Sequence, residues 1–160
     1  MQNKKTNIFL LCSVLFFVLT LQASGYAGKQ PKTELILERL NQARYVAGLT
    51  PLALDEQLTQ AAADKAEDMI AQGYFNHISP QGRQPWDFIK KLNYSFVAAG
   101  ENLAINFTNA EDLMQAWLAS DTHRSNILNP VFTHTGITVI SANTPSGQKT
   151  VIVQYFTRPE

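Results

Sequence analysis

Few side chains in this 160-residue chain could ligate a metal or carry a proton near neutral pH, because it has three histidines and one cysteine. The histidines are His77, His123 and His134, and the cysteine is Cys12. An imidazole binds a divalent cation through either ring nitrogen and acts as acid or base around pH 7. A carboxylate beside it can orient the ring or take a proton from water. Spacing preforms none of this. No His-x-x-x-His or Cys-x-x-Cys sets two ligands on one helical face. His77, Glu101 and His123 lie far apart along the chain. On spacing alone each reads as readily as a structural or surface residue.

The N-terminus reads as a targeting segment. Lys4 and Lys5 precede an apolar run, Ile8 to Leu21, and then the small residues of Ala23-Ser24-Gly25-Tyr26-Ala27. That order is the pattern of a secretory signal peptide. The run has 14 residues, short of the ~20 that cross a bilayer as a helix. An uncleaved anchor is therefore the second reading. Cleavage after Ala27 gives a signal peptide over 1–27, a linker over 28–33 and one domain over 34–157. Cys12 lies inside the apolar run and is followed by Ser-Val-Leu-Phe-Phe, which is not a lipidation context. The mature chain then has no cysteine, no disulfide and no membrane span, and its stability comes from apolar burial. It is expected to be exported, to a periplasm or out of the cell. The composition is 45% hydrophobic with a formal charge of zero, which argues against disorder and against a general nucleic-acid binder.

The domain reads as helices followed by a hairpin. Ile36, Leu40, Ala43 and Ala47 share a helical face after Pro31 and Thr33, and Gly48 stops it. Asn41 and Arg44, three apart, either project together toward a neighbouring element or are solvated. Asp55 is a good N-cap for a helix carrying Leu58, Ala62, Ala66 and Met69, which ends at Gly73. Tyr74 to Gln84 has no period and reads as a loop. Pro85 suits the first position of a short helix that buries Trp86, Ile89 and Leu92. Gly100-Glu101-Asn102 reads as a loop or short strand. Thr108 and Glu111 match a capping box at the start of the next helix, whose apolar face is Ala110, Leu113, Met114 and Trp117. Ser120 to Leu128 reads as a helical turn. After it, Ile137 and Val139 alternate in one strand, Asn143 to Gly147 turn, and Val151, Val153 and Tyr155 alternate in a second strand.

Five stretches in order carry a resemblance. They are Leu40-Asn41-x-x-Arg44 leading into Gly48-Leu49-x-Pro51-Leu52-x-Leu54-Asp55; Phe75-x-His77-x-Ser79-Pro80-x-Gly82-Arg83; Gly100-Glu101-Asn102-Leu103-Ala104; Trp117-x-x-Ser120-x-x-His123-Arg124-x-Asn126-Ile127-Leu128; and Gly136-Ile137. Together they resemble the CAP superfamily of cysteine-rich secretory proteins, antigen 5 and pathogenesis-related proteins, in its short cysteine-free bacterial branch. The resemblance implies an α+β domain, a three-layer α-β-α sandwich with a small antiparallel sheet between helices. It also implies a cleft in which His77 and His123 are the metal ligands for a divalent cation such as zinc, with Glu101 orienting a water or a ring. Where fuller family members carry a second glutamate, three residues after the tryptophan, this chain has Ser120. Asp121 is the neighbouring substitute, so Ser120 and Asp121 join Glu101 as expected ligand-binding residues. His134 is expected to be a strand-end surface residue.

Three functions follow from the resemblance. The first is a non-catalytic extracytoplasmic binding module for a cation, a lipid-like ligand or a cell-envelope component. The second is a metal-dependent hydrolase with Glu101 as general base. The third is a structural envelope-interaction protein in which the polar cluster only rigidifies the fold.

Overall fold

The computed structural model describes residues 30–145 and 147–160. The expected signal peptide lies outside the described residues, as does part of the expected linker. Helix α1 is Thr33–Val46, followed by the two-residue strand β1, Ala53–Leu54, and helix α2, Glu56–Gln72. Then come α3 (Pro85–Lys90), β2 (Phe96–Ile105), α4 (Ala110–Ala119), α5 (Asp121–Ile127), β3 (His134–Thr144) and β4 (Gly147–Pro159). The sheet order is β1-β3-β4-β2, with β1 parallel to β3 and the other pairings antiparallel.

Helices cover both faces of this sheet, which is the expected α-β-α sandwich. On one side, Ile36, Leu40, Leu113, Met114, Trp117 and Ile127 pack on Ile137, Ile152 and Phe156. On the other, Leu58, Ala62, Ala66, Met69, Phe88 and Ile89 pack on Val151, Val153 and Tyr155. β4 is therefore buried on both faces from Val151 to Thr157, and its near-continuous apolar run replaces a polar-apolar alternation. α2 lies so close to β3 that a Cβ on Gly136 would stand 2.1 Å from the carbonyl carbon of Leu58. Glycine is what admits the helix.

Local signals set most of the boundaries. Asp55 caps α2 by accepting from the Leu58 amide at 2.9 Å, and Gly73 closes it in the left-handed conformation at φ 70°. α4 differs from expectation. Its N-cap is Asn109, whose Oδ1 accepts from the Asp112 amide at 2.9 Å, one residue beyond the expected Thr108. Glu111 is consequently not the far end of a capping box, and it pairs with Arg39 at 3.1 Å. In α1, Ala47 is exposed and Arg44 is fully buried. Arg44 donates to the carbonyls of Thr50, Ile127, Asn129 and Phe132 at 2.8–3.1 Å. Asn41 exchanges two hydrogen bonds with the main chain of Leu52. Both residues thus clamp loops, and Arg44 ties the loops after α1 and α5 together.

Candidate functional site

Glu101 sits in the middle of β2, where the sequence suggested a loop or short strand. Its backbone pairs with Tyr155 of β4, and its side chain is only 2% exposed. His77 reaches it from the loop between α2 and α3. The two side chains meet at 2.5 Å, His77 Nδ1 to Glu101 Oε1. With the carboxylate as acceptor, Nδ1–H donates and the neutral ring turns Nε2 away from Glu101. The His77 side chain is 53% exposed, so that nitrogen is reachable from solvent. The hydrogen bond to Glu101 raises the pKa of His77 above the ordinary value, with desolvation opposing and the charge of Glu101 assisting.

His123 approaches from α5. Its main-chain carbonyl accepts from Asn102 Nδ2 at 3.3 Å, and its ring lies 6.3 Å from that of Trp117, centroid to centroid. Burial pushes its pKa down, and the charge of His77 pushes it further the same way. Asn126, also on α5, donates to the Glu101 carbonyl at 3.1 Å and to Asn102 Oδ1 at 2.9 Å. These bonds fasten α5 against β2. Gly100 makes the approach feasible, because a Cβ there would stand 2.9 Å from Asn126 Oδ1. Two buried polar atoms of this cluster have no hydrogen-bond partner, Glu101 Oε2 and His123 Nδ1.

A cleft of about 410 Å³ opens over His77 and Glu101, lined also by Gln84, Trp86 and Asn126 among others; His123 lies beside it on α5 and is not among its lining residues. Tyr155 Oη donates to the Pro85 carbonyl at 3.0 Å and so fixes the start of α3, and with it Trp86, at the rim.

This order of motifs and this sandwich have counterparts. The model of the CAP family, the cysteine-rich secretory protein family, matches residues 37–156. The chain belongs to the CAP family. The YkwD protein of Bacillus subtilis is 42% identical over 102 residues, which are 64% of this chain and 40% of YkwD. An extracellular protein containing a SCP domain, from Bacillus anthracis, superposes with a TM-score of 0.69 at 31% identity, over 78% of this chain and 39% of that one. The chain thus spans about two fifths of the length of either. An outer surface protein of Borrelia burgdorferi shares the fold, with a TM-score of 0.69 at 21% identity over 79% of this chain and 92% of its own.

Within this CAP domain the expected site residues separate into two groups. Glu101 and His77 are in direct contact, and His123 lies on the helix that Asn126 and Asn102 bind to β2. Ser120 and Asp121 stand apart, at the start of α5. The Ser120 hydroxyl contacts that of Thr122 at 3.2 Å, and the exposed Asp121 carboxylate pairs with Arg124. Neither lines the cleft. Among the described residues no three His, Cys, Asp or Glu side chains are grouped to hold a metal ion. His134 opens β3, its Nδ1 2.9 Å from the Thr133 hydroxyl, and belongs to no site. No helix among the described residues is long and apolar enough to cross a membrane.

Sequence reasoning missed Lys65. It lies on α2 and is fully buried. Its ammonium donates to the His77 carbonyl at 2.8 Å and to Tyr74 Oη at 3.2 Å, over the rings of Tyr74 and Phe88. Tyr74 in turn donates to Asp68 Oδ2 at 2.5 Å, and Arg83 pairs with the same carboxyl group at 3.3 Å. The one signal available was a lysine at i+3 from Ala62 and i+7 from Leu58, within the apolar stripe of α2.

Proposed function

We propose that this CAP domain is an exported, non-catalytic binding module whose cleft holds a divalent cation between His77 and His123. The observation that carries the reading is the 2.5 Å contact between His77 and the buried Glu101. A histidine whose Nδ1–H is held by a carboxylate has its other nitrogen fixed in direction and made more basic, as metal-binding histidines commonly do. The partnerless Nδ1 of His123 and Oε2 of Glu101 fit the same reading. Buried polar atoms without a partner point to a missing donor or cation. His77 and His123 would hold the cation, and Glu101 would fix the His77 ring. When bound, the cation supplies a positive centre with open positions for a polar or anionic ligand lying against Trp86 and Gln84. A hydrolytic centre is the weaker reading, since catalytic zinc sites use three protein ligands. The signal-like N-terminus and the likeness to an extracellular SCP-domain protein of Bacillus anthracis at 31% identity support export.

Isothermal titration of the folded domain with zinc tests this. One ion per chain with micromolar affinity or better is expected, lost in both His77→Ala and His123→Ala. No binding, or binding that ignores both substitutions, sinks it.

A second reading has its own observation. A groove of about 670 Å³ runs between α1 and α4, with Ala43, Val46, Ala47, Met114, Leu118 and Leu128 as its apolar lining and Arg39, Gln42, Glu111 and Gln115 as its polar lining. That volume lies within the range of small-molecule pockets, and its apolar walls suit a lipid-like chain. On this reading a lipid-like ligand would lie in this groove, while the His77–Glu101 cleft suits a polar one. Extraction and mass analysis of the purified domain would show a co-purified lipid, and a protein that stays empty when offered one counts against it.

A further inference from the structure

We infer that Lys65 is a positioning residue for the cleft, its ammonium holding the main chain of the His77 loop in register with Glu101. This rests on reading His77 and Glu101 as the site.

Three observations carry it. First, a bare structural role does not need a charge here. Lys65 is fully buried and, among the described residues, lies within 4 Å of no carboxylate, so its ammonium is desolvated without an ion-pair partner. A methionine or leucine would fill the space without that cost. Second, the ammonium is the one group from outside the loop that bonds the main chain of residues 75–78 among the described residues. The other bond there is internal, from the Ile78 amide to Asn76 Oδ1 at 3.3 Å. Phe75 and Ile78 on either side are exposed, at 43% and 46%, so apolar packing does little to anchor this stretch. Third, the charges around Lys65 belong to the cleft and its support. Burial pushes the pKa of Lys65 down; Glu101 on β2 and Asp68 on α2 counter this, and Arg83 at the end of the loop adds to it. A cation at this point serves both ends of the His77–Glu101 contact. It holds the carbonyl of one residue and attracts the carboxylate of the other.

The arrangement has consequences for geometry. The His77 ring reaches Glu101 only if its main chain is held at the right height above β2. Lys65 does this from a helix that Gly136 lets lie flat on the sheet. Main-chain anchoring by a buried cation thus replaces the backbone ladder that a loop lacks.

The test reads the His77–Glu101 bond directly, by proton and nitrogen NMR of the metal-free domain. A 2.5 Å N–H···O contact to a buried carboxylate should give a slowly exchanging, far-downfield imidazole proton. Its loss in His77→Ala assigns it. In Lys65→Met, with near-UV dichroism and the His134 signals unchanged, this resonance is expected to vanish into exchange, and Lys65→Arg is expected to restore it at least in part. A folded Lys65→Met that keeps the resonance overturns the proposal, as does its absence from the wild type. Should Lys65→Met fail to fold, the wild type decides by itself. A slowly exchanging Lys65 ammonium with a coupling across to the His77 carbonyl supports the role, and a freely exchanging one overturns it. Because no metal is present, failure of zinc binding would sink the cation reading and leave this result standing.

Discussion

His77 and Glu101 make one contact whose strength depends on which of them carries the proton. The folded state raises the pKa of His77 above 6.5, first through the hydrogen bond to Glu101. Folded protein therefore holds this proton to higher pH than the unfolded chain does. The stabilisation is fully present below the unfolded value and fades as pH climbs through the raised folded value. His123, pushed down by burial, has the opposite sign, since its neutral form is favoured and acid works against it. Comparing wild type with His77→Ala cancels much of the His123 effect. The stability gap between them, from urea unfolding, should be widest near about pH 5.5 and narrow toward about pH 8.5. A gap that stays constant across that range would mean that the contact does not depend on protonation. At this scale the sequence singles out His77 and Glu101, which the fold brings into contact, and His123, which it sets on the adjoining α5, because each sits inside a recognisable stretch. Ser120 and Asp121 are suggested by the place of a second glutamate that this chain lacks, and the turn into α5 directs Asp121 to Arg124, with neither residue in the lining of the cleft.

The helices announced themselves more clearly than the strands. Asp55, Gly73 and Pro85 are local signals, and local geometry obeys them. β2 was obscured because its centre, Gly100-Glu101-Asn102, is polar, and polar residues rarely mark a buried strand. It forms because the polarity is satisfied by a neighbouring element. Asn102 is fully buried and bonded to the His123 carbonyl and to Asn126. Lys65 was hidden for the same reason, and the sequence leaves Arg44 open between a contact with a neighbouring element and solvent. Both are charged residues on apolar faces, and their purpose shows only once the carbonyls they bind have been brought in from distant segments. The approach of α2 to β3 gives a sharp element-level test. In Gly136→Ala the new methyl meets main-chain atoms of Leu58 and Thr59 at 2.1–2.3 Å, which cannot swing aside as a side chain does. The helix must lift, and a loss of about 3 kcal/mol in denaturant unfolding is expected, at the upper end for overpacked cores. A loss below about 1 kcal/mol would show that α2 moves off the sheet at little cost.

On the scale of the molecule, the sheet and the helices on it separate two openings of different character. The cleft at His77, Glu101 and Asn126 is built from the α2–α3 loop, β2 and α5, whereas the groove is built from α1, α4 and Leu128 just after α5. No residue lines both. One link between the two is α5, whose anchors are Asn126 on the cleft side and the Arg44 bond to the Ile127 carbonyl on the other, and a second is the Trp117 indole of α4, which donates to the Leu103 carbonyl of β2. Openings that share no lining residue are expected to act nearly independently. Ala43→Trp, which places an indole in the groove, should therefore weaken binding of a long-chain fluorescent fatty acid at least about tenfold while leaving zinc affinity within about twofold. The two titrations, run on the same preparation, check this. A parallel fall in zinc affinity would show that α5 transmits strain from groove to cleft, and the domain would then be one coupled site instead of two.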